Sequence, residues 1–94
     1  MVMKVATSRE EIRGMLKCAR VQKAKYMLMV CDTFDYSDYP VPVMSIDGLQ
    51  EAVTKYSQNM QKVIEIYDLS QDTERQLNEY RAGQQLINKL TGVD

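Results

Sequence analysis

The segment from Tyr26 to Val43 most constrains the fold of this chain. It begins with the apolar run Tyr26-Met27-Leu28-Met29-Val30-Cys31 and passes through Asp32-Thr33-Phe34-Asp35-Tyr36-Ser37-Asp38-Tyr39. It then returns through Pro40-Val41-Pro42-Val43. Successive side chains of a strand point to opposite faces. Leu28 and Val30 therefore share one face, and Met27, Met29 and Cys31 the other, so both faces are apolar. Such a strand belongs inside a sheet that is covered on both sides. The returning limb differs. Proline lacks an N–H, and Pro40 and Pro42 lie two residues apart, so both missing donors point to one flank. That flank cannot form a full ladder, which places the limb at a sheet edge.

The rest of the chain supplies helices and one more clear strand. Val2 to Ala6 suits a short first strand. Thr7 and Ser8, each followed three residues later by Glu10 or Glu11, signal a capped helix start. That helix runs to about Ala24 with Ile12, Met15, Leu16 and Ala19 on its apolar side, and Gly14 weakens it. Asp47 opens a second helix carrying Leu49, Ala52, Val53, Tyr56 and Met60. Residues 62–69 alternate as a strand, with Val63, Glu65 and Tyr67 against Ile64 and Ile66. A last helix is expected from about Thr73 to Leu90, ending before Gly92. The whole chain, residues 1–94, thus reads as a single α+β domain of order β-α-β-β-α-β plus a C-terminal helix. That order is ferredoxin-like. In the ferredoxin-like sheet, however, the third strand is internal, whereas here it carries the two prolines. The alternative sheet has the proline strand at its edge and Tyr26 to Phe34 inside.

Composition excludes several chemistries. The 94 residues are 45% apolar and 27% charged with a net charge of −1, values of an ordinary globular domain rather than a disordered chain. Without histidine there is no Ser-His-Asp or Cys-His catalysis. Cys18 and Cys31 lack metal-site spacing and read as reduced thiols of a cytoplasmic protein. No apolar run is long enough to span a membrane, and no leader or lipidation motif is visible. No Gly-rich phosphate loop or metalloprotease motif occurs. The reading is therefore non-catalytic, with no cofactor and no metal. An enzyme reading would gain ground if a pocket gathered Asp32, Asp35 and Asp68 within metal-ligand distance.

Charge is unevenly spread. Residues 1–30 hold seven Lys/Arg, while residues 31–52 hold Asp32, Asp35, Asp38, Asp47 and Glu51 and no cation. Two surfaces follow. The loop residues Asp35, Tyr36, Asp38 and Tyr39, with Phe34 beside them, combine anchor area with steering charge and suit a partner protein. Aspartates there also form turns. Arg9, Arg13, Lys17 and Arg20 fall within one sector of a helix at about 100° per residue. They would suit a nucleotide or nucleic acid as an alternative, although a solvated helix face has the same pattern. The apolar stripe of the last helix fits its own sheet or a homodimer partner.

Asp32 to Val41, with Ile64-Glu65-Ile66-Tyr67-Asp68-Leu69-Ser70 and Gln76-Leu77-Asn78-Glu79-Tyr80-Arg81, resembles small uncharacterised proteins of bacteria and their phages. The resemblance spans most of the chain and implies no reaction. It implies an accessory protein that acts by binding, including an inhibitor of a host defence complex.

Overall fold

The computed structural model describes residues 8–34, 37–79 and 83–92. The strand expected at Val2 to Ala6 lies outside them. Among the described residues the chain is α+β, with four helices and a three-stranded antiparallel sheet of order β2-β1-β3. The elements are α1 (Arg9–Val21), β1 (Tyr26–Asp32), β2 (Ser37–Val43), α2 (Ile46–Lys55), β3 (Gln61–Asp68), α3 (Thr73–Leu77) and α4 (Gln84–Thr91). From α1 to β3 this is the expected succession. Among the described residues the proline strand lies at the edge: β1 pairs β2 on one flank and β3 on the other.

Each face of β1 carries its own core. Met27 and Met29 pack with Ile12, Leu16 and Ala19 of α1, Tyr67 of β3 and Leu77 of α3. Leu28 and Val30 pack with Val43, Leu49, Val53, Val63, Ile66 and Ile87, so α2 and α4 cover the opposite face. This explains why β1 is apolar on both sides: it is the middle strand of the middle layer. α1 starts where its capping box predicts. The Ser8 hydroxyl accepts from Glu11 N at 3.1 Å, and Ser8 N donates to Glu11 Oε1 at 3.2 Å.

Three local expectations are corrected. First, residues 73–90 are not one helix. α3 ends at Leu77, and α4 begins after Gly83, whose φ is +75°. A Cβ at Gly83 would lie 2.5 Å from Ile66 O, so only glycine lets the chain pass so close to the β3 backbone. That passage carries the chain from the α1 face to the α2 face. Secondly, β3 does not alternate strictly. Met29 pairs Glu65 and Val30 pairs Val63, leaving Ile64 as an extra residue in a bulge. Val63 thereby shares the α2 face with Ile66, while Ile64 moves to the α1 face with Tyr67. Thirdly, α2 ends at Lys55, and Met60 is not on its apolar face. Asn59 and Met60 adopt φ of +59° and +65° instead.

The stripe of α4 packs inside the chain. Ile87 is buried, and Leu86 and Leu90 lie against the α2 core. α3 is fixed by Gln76, which is buried: its Oε1 accepts from Asp68 N at 2.8 Å, and its Nε2 donates to Asp68 O at 2.8 Å and Asp72 O at 3.2 Å. On the α1 side, Gly14, Met15, Cys18, Met27, Pro40 and Pro42 line an open apolar groove of about 500 Å³ between α1 and β2.

Candidate functional site

Both ends of the sheet expose large apolar side chains: Met44 and Ile46 beyond Val43, and Phe34 and Met60 at the hairpin end. At one end, Asp32 closes β1, with Ser37 and Gln61 beside it on the neighbouring strands. Here the β1–β2 hairpin and the entry to β3 meet. Asp32 Oδ1 accepts from Phe34 N at 2.8 Å, an Asx-type turn. Thr33 donates twice to Met60 O, from its N at 2.7 Å and its hydroxyl at 2.8 Å. The hairpin tip and residue 60 are thus tied together.

Two large apolar side chains stand out from this end. Phe34 is 76% exposed and Met60 58%. Met60 is also held at a positive φ, a conformation costing a non-glycine residue on the order of 1 kcal/mol or more. Folding would ordinarily turn an exposed methionine into a relaxed loop; here Thr33 fixes its carbonyl. Phe34 was legible as an anchor in the sequence. Met60 was not, because its spacing from Leu49, Val53 and Tyr56 continues a helical stripe. The adjacent Asn59, tolerant of positive φ, is the signal that could have ended the helix.

The residues expected to form the docking loop fall into two groups. Asp35 and Tyr36 lie outside the described residues. Asp38 and Tyr39 are half-buried on β2. Tyr39 belongs to the framework: its ring meets Tyr56 edge-on at 6.3 Å, and its hydroxyl accepts from Gln61 Nε2 at 2.6 Å. Burial, then Tyr56 and Asp32, push the Tyr39 phenol up from its usual value. Tyr39 thus braces the hairpin on α2.

The basic stripe of α1 faces α3. Arg13 Nε and Nη2 donate to Glu74 Oε2 and Oε1 at 2.8 and 2.9 Å, and Arg13 also pairs with Glu10. Arg20 Nη2 donates to Thr73 Oγ1 at 3.1 Å. Arg9 Nη2 donates to Glu79 O at 3.3 Å, and its Nη1 lies 3.6 Å from Glu65 Oε2. Lys17 is exposed on the same helix. The hydrogen bond from Arg13 holds the Glu74 carboxyl below its ordinary value, against a smaller opposing effect of burial.

Glu65 and Tyr67 do share a face of β3. Tyr67 Oη donates to Glu65 Oε1 at 3.0 Å, and both are buried. Burial and then the Glu65 charge raise the Tyr67 phenol well above its usual value. Asp68 does not join them in a site. It pairs with Tyr26, at the start of β1, while Asp32 ends that strand, so the two are about 20 Å apart at ~3.3 Å per residue. Asp68 Oδ1 instead accepts from Ser70 N and Oγ at 2.9 and 2.6 Å, forming the turn into α3. A cation shared by Asp32, Asp35 and Asp68 is therefore ruled out by the register. Among the described residues no three His, Cys, Asp or Glu side chains group as a metal site, and no helix is long and apolar enough to cross a membrane.

Among the described residues these features define a three-layer α+β arrangement with Phe34 and Met60 exposed at the hairpin end of its sheet. Comparison with models of protein families, with curated proteins and with solved structures finds no match.

Proposed function

We propose that the chain is a small non-catalytic interaction protein, a phage-type accessory protein or inhibitor, which binds a partner protein through the hairpin end of its sheet. One observation carries this reading: Phe34 and Met60, from segments 26 residues apart in sequence, are exposed at the same end of the sheet, with Thr33 fixing Met60 in a strained backbone. Strain held in place at an exposed apolar residue is a mark of binding surfaces. Asp32 and Asp38 lie at this end of the sheet, with Lys62 opposite Cys31 on β3. The partner of that chemistry has an apolar pocket with Lys or Arg placed to meet the two aspartates. Its association should be steered electrostatically and weakened by salt. Cys18 and Cys31 are not joined in a disulfide, in keeping with a reducing, cytoplasmic setting.

What supports this reading over an open anion site on α1 is the use of the stripe: Arg9, Arg13 and Arg20 all bond within the chain, so the face stands closed. The test compares capture from the native host's extract by the wild-type chain, Phe34→Ala/Met60→Ala and Val21→Ala. Val21 is 83% exposed but ends α1, away from the hairpin. A cognate protein retained by wild type and Val21→Ala, and lost from the double variant, supports the proposal. Truncating two anchors should cost about 2 kcal/mol or more, roughly 30-fold in affinity. An identical captured set for wild type and the double variant would reject it.

A further inference from the structure

Glu74 sits at the centre of the α1 basic stripe. Arg13 grips it through two parallel N–H···O bonds of 2.8 and 2.9 Å, the two-point geometry with which a guanidinium also holds a phosphate. The Lys17 charge also acts on the Glu74 carboxyl. Arg20 bonds the hydroxyl of Thr73, the residue preceding Glu74. Glu74 therefore occupies the Nε and Nη2 edge of Arg13, while Glu10 pairs with its Nη1, and Lys17 and Arg20 follow on the same face of α1. These three cations extend along about 10 Å of helix at ~1.5 Å per residue. That is an elongated site, suited to a linear polyanion rather than one isolated ion.

The carboxylate is not locked in place. Its side chain is 58% exposed, whereas α3 is held by the buried Leu77 and Gln76. Glu74 can swing into solvent while α3 stays docked. We infer that this face is an anion site closed in cis by Glu74, and that the phosphate backbone of a single-stranded nucleic acid occupies it when the carboxylate is displaced. The backbone would bond Arg13 in place of Glu74, with Lys17 and Arg20 on neighbouring phosphates. Arg9, bound to Glu65 and Glu79, stays outside the site. No aromatic side chain is interleaved in the stripe, so binding would rest on phosphate contacts alone, without base stacking.

The experiment is fluorescence anisotropy with a labelled single-stranded DNA of about 20 nucleotides. Glu74→Gln should bind about tenfold tighter than wild type near 20 mM salt, and the gain should shrink to within about twofold near 0.5 M, as expected for one additional phosphate contact. Glu74→Ala repeats the comparison without a side-chain carbonyl that Arg13 could still engage. Glu51→Gln makes the same change in net charge on the exposed side of α2 and should leave affinity at the wild-type level. Adding Arg13→Gln to the Glu74 variants should abolish the gain. Circular dichroism confirms that each variant is folded. No tightening in either Glu74 variant, or equal tightening in Glu51→Gln, would overturn the inference.

Discussion

Replacing Gly83 by alanine tests the passage between the two helical layers. Two costs add at this position. The backbone φ of +75° lies in the left-handed region, which costs an alanine about 1–2 kcal/mol. The added Cβ would lie 2.5 Å from Ile66 O, 3.0 Å from Ile66 Cβ and 3.1 Å from Ile66 N. Those are sheet atoms that cannot rotate away, and forcing them apart is overpacking worth about 1–3 kcal/mol. The sum is about 2–5 kcal/mol, against a total stability of about 5–15 kcal/mol for a domain of this kind. Gly92 separates the two contributions, because its φ is +78° yet nothing lies within 4 Å of its Cβ position. Gly92→Ala should therefore show only the backbone cost, about 1 kcal/mol or less at a helix end that frays. Urea unfolding followed by circular dichroism gives both values, with an unchanged slope showing that the unfolded state is the same. If Gly83→Ala costs no more than Gly92→Ala, the close crossing against Ile66 is wrong.

The remaining predictions concern the groove, the strained tip and the buried phenol. Gly14 lies mid-helix with nothing within 4 Å of its Cβ position, so Gly14→Ala should stabilise the chain by up to about 1 kcal/mol, read as a Tm rise of roughly 4–8 °C; a fall in Tm would contradict this. Met60→Gly relieves the positive φ and should raise stability by about 0.5–1 kcal/mol in urea unfolding while weakening partner capture; loss of stability would show that Met60 is relaxed there. Tyr67 is held protonated in the folded chain by burial and by Glu65, whereas the unfolded phenol ionises near pH 10. The folded state therefore keeps its proton where the unfolded state loses it, so stability is complete below about pH 10 and falls as pH rises above it. Tyr67→Phe should flatten that alkaline decline; an unchanged pH profile in denaturant unfolding would refute the assignment.

What was legible in the sequence followed from backbone chemistry with short range. The two-sided apolar pattern of β1 and the same-flank prolines of β2 led to the observed sheet, because both depend only on period-two geometry and on missing N–H groups. The Ser8–Glu11 box marked the start of α1 for the same reason. The misses were tertiary. The Thr73–Leu90 pattern has helical spacing throughout, yet α3 ends at Leu77 and Gly83 approaches Ile66, a contact between residues 17 apart. The bulge at Ile64 arises from pairing with β1, which the alternation of β3 alone does not reveal. The site was partly legible. Phe34 and the acidic tip were visible, but Met60 joined them through Thr33, and Tyr39 proved to brace the hairpin against Tyr56. Arg13 and Glu74 were each plain in sequence, yet their pairing needs α3 to fold back on α1.

The proposed docking surface at the hairpin end is tested most directly by a photo-activated cross-linker placed in the chain at position 34 and, separately, at position 21, with irradiation in the native host cell. A discrete protein adduct from position 34, absent from position 21 and diminished by Met60→Ala, is the expected result. No adduct from position 34, or the same adduct from both positions, would contradict it.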